Sequence, residues 1–275
     1  MTNMYKLFFL VFLLAPFSAY SQALDFNKLN AEILNEGKRI YQSELASWRA
    51  SDIVQMKYPG MKEIGGYLSY ADGWNIKTIF FSKGDSAKVI YTVLFDTSRT
   101  LNKASVDTNT RDFLPIEHDY FKLKQKVMSV IQTDSLFKIY KRTSLNIVPL
   151  IDSTGKKVYI ITSTKEHKIM YLGNDYLLTF DKDNNLLTKK RLHQTLIPIP
   201  CRADTVKYSY HTHSAETGDF ITPTDVASLM LYEVYSNWEY HFVFGMKYST
   251  IWDCKSNSFV VYTKEEFDKM IKMQK

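Results

Sequence analysis

Residues 211–225, His-Thr-His-Ser-Ala-Glu-Thr-Gly-Asp-Phe-Ile-Thr-Pro-Thr-Asp, are the stretch of this 275-residue chain whose side chains read as chemistry. His211 and His213 lie two apart in Tyr208-Ser209-Tyr210-His211-Thr212-His213. On an extended strand both imidazoles and Ser209 therefore share one face, and the tyrosines take the other. Asp225 follows a loop, in the first turn of a helix opened by Thr222-Pro223-Thr224-Asp225. Two imidazoles and a carboxylate are the ligand set of an open zinc site, which keeps a water as fourth ligand and lowers its pKa to about 7. A nucleophile for amide or ester hydrolysis then exists without any Ser or Cys.

A purely structural reading covers the same residues. Thr222 is a good N-cap, Pro223 suits the first helical position, and Asp225 fits the third position of a capping box. A histidine pair on a half-buried strand can be satisfied by hydrogen bonds. Asp219 is an alternative carboxylate ligand if the loop folds back. His118, His167, His193 and His241 are scattered among polar or aromatic neighbours and read as structural or solvated. Pro200-Cys201 lacks the second cysteine of a zinc deaminase motif, because Asp204 stands in its place. There is no Gly-rich phosphate loop and no Gly-x-Ser-x-Gly elbow.

His211-Thr212-His213, a Gly-Asp-containing loop, Thr222-Pro223-Thr224-Asp225 and a helix together resemble the JAMM/MPN-type zinc metallopeptidases. The family pattern is His-x-His, seven residues, Ser-x-x-Asp. Here eight residues intervene and Thr replaces Ser. The resemblance implies that His211, His213 and Asp225 ligate zinc and that Thr222 stands where a hydroxyl supports the oxyanion. It also implies a glutamate base on an upstream strand. Glu166 is the candidate, with Glu117 at a helix start and Glu216 in the loop as alternatives. The substrate would be a peptide or another amide. The rival reading is a non-catalytic exported protein that keeps the fold to bind a partner or surface polymer.

The elements that must position these residues follow from periodicity. Phe26, Leu29, Ile33, Ile40, Tyr41, Leu45 and Trp48 recur at helical spacing, with Gly37 as a point where the helix can break. Strands are expected at 66–71, 76–82 and 88–95, punctuated by Asp72-Gly73 and Lys83-Gly84-Asp85. The polar stretch 97–111 reads as a loop. A second helix follows Pro115. Strands then return at 145–151, 157–162, 169–172, 176–180 and 186–190, and the Asp-rich 181–185 reads as a plain turn. The last third runs strand 206–213, helix 223–235, strands 240–244, 249–253 and 259–262, and a helix capped by Thr263-Lys264-Glu265-Glu266. This order gives an α+β class, or α/β if strands run parallel: a mixed sheet with flanking helices. A helix-plus-meander module over 24–110 would precede a JAMM-like region over 111–275.

Lys6, the apolar run Leu7 to Ala15 and the small-residue region Ser18 to Ala23 read as a signal peptide over residues 1–23. The chain is then exported, to the periplasm or beyond the cell, with no membrane span after signal removal. At 45% hydrophobic and 15% aromatic residues it can build a core. The net charge of +6 comes from dispersed lysines, so nucleic acid is not an expected partner. Cys201 and Cys254 allow one disulfide in an oxidising compartment. Two cysteines exclude an all-Cys zinc site.

Overall fold

A computed structural model describes residues 25–59, 64–96, 101, 103–164, 169–201 and 206–273. The expected signal peptide lies outside the described residues. No described helix is long and apolar enough to cross a membrane.

Helix α1 (Phe26–Lys57) is capped by Asp25, whose side chain accepts from Lys28 N. It runs unbroken through Gly37, so the expected break does not occur. Gly37 serves close approach instead: a Cβ there would lie 2.5 Å from Val226 Cγ1. The two ends of α1 enter different cores. Ile33, Ile40 and Tyr41 pack in a cluster with Ile221, Val226, Ala227 and Met230. Ala46, Ala50 and Val54 pack with Ile76, Phe80, Val93 and Phe95. Small residues at 46 and 50 let a sheet approach the helix closely.

That sheet is the expected meander, β1 (Ile64–Asp72), β2 (Asn75–Ser82) and β3 (Val89–Phe95), extended by β4 (Ala104–Asp107). β4 falls within the stretch expected to be loop. Its residues pair with β3 from Thr92↔Asp107 to Phe95↔Ala104, and Ala104 and Val106 pack against the core below. Two half-buried apolar side chains alternating with Ser and Asp are enough for an edge strand.

Helix α2 (Pro115–Thr133) opens on Glu117, whose carboxylate accepts from Leu114 N, Arg111 and the Tyr70 hydroxyl. Its apolar face, Leu123 and Val127, covers Val158, Ile160, Tyr176 and Leu178. These lie in an antiparallel sheet of order β5-β6-β8-β9, formed by β5 (Thr143–Asp152), β6 (Gly155–Thr164), β8 (Tyr176–Phe180) and β9 (Leu186–Arg191). β7 (Ile169–Gly173) leaves this sheet and pairs with β10 (Leu196–Pro200). Pro198 and Pro200 mask β10 in the sequence, because proline cannot donate to a ladder. The 181–185 segment is the plain turn expected: Asp181 Oδ1 accepts from Asp183 N and Asn185 N.

The last unit is β11 (Tyr208–Thr212), α3 (Pro223–Tyr232), β12 (Tyr240–Phe244), β13 (Tyr248–Asp253), β14 (Ser258–Thr263) and α4 (Lys264–Met273). A 3-10 turn at Glu233–Tyr235 ends the α3 segment earlier than expected. β11 and β12 are parallel, joined through α3, and β12-β13-β14 are antiparallel. The Thr263 capping box at α4 is present, with Glu266 Oε2 accepting from Thr263 N. The class is α+β. Among the described residues the strands form four separate sheets, of which only β11–β14 is mixed.

Candidate metal centre

Strand β11 places its side chains by alternation: Ser209 and His211 are buried, and Tyr208 and Tyr210 are exposed. His213 follows directly, its backbone N still donating to Phe244 O, so the alternation carries through it. The parallel β11–α3–β12 connection then returns the α3 N-terminus beside the end of β11. Thr222 caps α3 as expected: Asp225 N donates to Thr222 Oγ1, and Thr222 N donates to Asp225 Oδ2. The Thr222 hydroxyl also lies 2.8 Å from Asp225 Oδ2 and donates to it. Asp225 is thereby locked with Oδ1 toward His211 and Oδ2 toward His193 and His213.

His211, His213 and Asp225 do converge, and a fourth donor joins them. His193, in the connection between β9 and β10, reaches the same point. The four residues are buried and form a group that can hold a metal ion, with one donor atom each and all donors within 4.8 Å of one another. His193 Nε2 lies 3.1 Å from His213 Nε2, and His211 Nε2 lies 2.9 Å from His213 Nε2. Asp225 oxygens lie 3.3 Å from His213 Nε2 and 3.5 Å from both His193 Nε2 and His211 Nε2. Metal–ligand bonds of about 2.0–2.1 Å give a tetrahedron edge of about 3.3–3.4 Å. These five separations lie near that edge, while the group as a whole spans up to 4.8 Å.

Hydrogen bonding independently favours a cation. His193 Nδ1 donates to Asp175 Oδ1 at 2.7 Å, which leaves Nε2 of the neutral ring with only a lone pair. His211 Nδ1 faces His241 Nε2 at 2.8 Å, and His241 Nδ1 faces Ser209 Oγ at 2.7 Å. A proton order running from His211 through His241 to Ser209 likewise frees His211 Nε2. His213 Nε2 then contacts two lone pairs and carries at most one hydrogen. Asp225 Oδ1 is buried without any hydrogen-bond partner. A positive charge at the centre answers both deficits, a proton on His193 in the metal-free group or a metal ion in its place. Carboxylate and imidazole partners behind ligating histidines are the usual means of fixing ring orientation.

The electrostatics agree in direction. Burial opposes a charge on His193, but the Asp175 and Asp225 carboxylates outweigh it and raise its pKa well above the usual histidine value. Burial also opposes the Asp225 charge, yet His193 and His211 hold that carboxyl well below its ordinary range. His241 is pushed well below the usual value by burial, with His211 adding to the effect. It is the neutral relay of the group.

The remaining candidates fall elsewhere. Asp219 Oδ1 accepts from Lys247 N and holds a turn, not the centre. Glu117 is consumed by Arg111 and Tyr70 at the start of α2, and Glu216 is exposed on its loop. Glu166 and His167 lie outside the described residues. His193 and His241, expected to be structural or solvated, are instead a donor and the support of a donor. No local spacing marks His193, which is 18 residues before His211 on the other side of a two-strand ribbon. Its one signal was a histidine just upstream of the His-x-His strand. Cys201 and Cys254 are free and buried, so the possible disulfide is not formed. Burial, with the nearby Glu233 and Asp253 carboxylates, pushes the Cys254 thiol up to about 12.

Fold and site thus define an α+β protein with a buried three-histidine, one-aspartate metal-type group. Comparison with family models, curated proteins and solved structures found no match.

Proposed function

We propose that the protein is an exported zinc-dependent hydrolase of amide or peptide bonds, with zinc held by His193, His211, His213 and Asp225. The observation that carries this reading is the convergence of four buried donors within 4.8 Å of one another, three of them on the β11–α3 unit that resembles the JAMM-type peptidases. Imidazole nitrogen with one carboxylate suits zinc among the common divalent ions. Zinc, when bound, supplies Lewis-acid polarisation of water and of a carbonyl oxygen.

The chain's own groups supply the rest. Asp175 orients His193, and His241 with Ser209 orients His211. Thr222 was the expected oxyanion support; its hydroxyl donates to Asp225, so its contribution passes through that ligand. Glu166 is proposed for proton transfer on the resemblance alone. His193 Nε2, backed by Asp175, can hold a proton only when it is off the ion.

One observation favours a second reading. Four protein donors fill a tetrahedral ion, as in structural zinc sites. On that reading the zinc braces the junction of β11, α3 and the β9–β10 connection in a binding protein. Incubating the zinc-loaded chain with a mixed N-acyl peptide library, read by mass spectrometry, separates the two. Zinc-restored, chelator-sensitive cleavage supports the hydrolase. A chain that binds zinc and cleaves nothing supports the brace.

A further inference from the structure

His193 differs from the other three donors in two ways. It sits in a connection between strands, whereas His211 and Asp225 sit in a strand and a helix and His213 directly continues its strand. Its side chain keeps 8% exposure, against 1% for Asp225 and His211 and 0% for His213. It also faces a cavity of about 270 Å³. His193, His211 and His213 line this cavity together with Leu172 and Ile197 on one side and Thr212, Ser214 and Thr217 on another. Apart from the imidazoles, no lining residue carries a formal charge. Ligand pockets for drug-sized molecules run from about 300 Å³ upward, so this one fits one or two amino-acid residues.

A sealed structural ion has no reason to border such a cavity, whereas an exchangeable ligand does. We infer that His193 is an exchangeable fourth ligand, and that the cavity takes an uncharged, amide-like oxygen donor which replaces it at the ion. This rests on the zinc reading above. His211 and Asp225 hold the ion throughout, fixed from behind by His241 and the α3 cap, and His213 stays with them on the backbone that continues β11. His193 released from the ion stays tethered to Asp175 at the cavity wall. The incoming ligand must compete with His193, so its apparent affinity is reduced by the fraction of time His193 is bound.

The test uses the full chain loaded with cobalt(II), whose visible absorption reports ligand number, and N-methylacetamide as the uncharged oxygen-donor probe. Wild type and His193→Ala are both expected to bind one cobalt. The probe should shift the His193→Ala spectrum at a concentration at least about tenfold lower than the wild-type spectrum, because the internal competitor is gone. Thr217→Trp, which fills the cavity, should keep cobalt and lose the probe response. Equal probe response in wild type and His193→Ala overturns the inference, as does loss of cobalt from a folded His193→Ala chain. Should His193→Ala not fold, His193→Gln decides in its place, since its amide can still donate to Asp175. If wild-type chain itself takes up no cobalt, the metal reading falls first, and the two failures are told apart.

Discussion

Asp175 Oδ1 and His193 Nδ1 are joined by a 2.7 Å hydrogen bond that turns His193 Nε2 toward His213 and Asp225. Both residues are buried at the same end of the β7–β10 ribbon, Asp175 just before β8 and His193 just after β9. Removing the acceptor should free the ring without deleting a donor. Asp175→Ala is expected to weaken zinc binding by about 10–100-fold, the usual effect of losing such a supporting partner. Competition against a chromophoric chelator measures it; unchanged affinity would show that Asp175 does not orient the ring.

Metal binding should expel protons. In the metal-free chain the two carboxylates keep His193 charged above the usual histidine range. A raised value means that the charged ring's contribution to metal-free stability is complete below 6.5 and is lost as pH rises through the folded value. A ligating nitrogen must be neutral, so zinc entry at pH 7 is expected to release about one proton per ion. Calorimetry in buffers of differing ionisation enthalpy reads this directly. Heats independent of the buffer would mean that His193 is already neutral.

The approach of α1 to α3 sets where Asp225 sits. Gly37→Ala would put a Cβ 2.5 Å from Val226 Cγ1 and 3.0 Å from Pro223 O. Alanine favours a helix interior by about 1 kcal/mol over glycine, but the clash should win, with a net loss of about 1–3 kcal/mol. Pairing it with Val226→Ala should recover part of that loss. Denaturant midpoints on the three variants decide it; a more stable Gly37→Ala chain would show that the contact is not tight.

Legibility in the sequence tracked how local each signal was. His211, His213, Asp225 and Thr222 could be read because strand alternation and a capping box act over three residues or fewer. The α1, α2 and α4 helices followed from apolar period or capping alone. What escaped depended on distant pairing: β4 needs β3 beside it, and β10 needs β7 to outweigh two prolines. His193 escaped for the same reason. Its role exists only once the β7–β10 ribbon folds against α3.

Acid should act first away from the metal group. Burial alone would raise the Glu117 carboxyl, but bonds from Arg111, Leu114 N and Tyr70 outweigh it and hold the value below 4.5. A depressed carboxyl stabilises the fold above its unfolded value, and that contribution is lost as pH falls through the folded value. Glu117→Gln is expected to cost about 1–3 kcal/mol at neutral pH and to flatten the acid limb of Tm below pH 4.5. An unaltered acid limb in that variant would assign acid sensitivity to other groups.

Metal content of the purified full chain is the most direct measurement. One zinc per wild-type chain is expected, and none in a folded His211→Ala, His213→Ala double variant. A wild-type chain without stoichiometric metal, or a double variant that keeps its zinc, would contradict a zinc site built on His211, His213, His193 and Asp225.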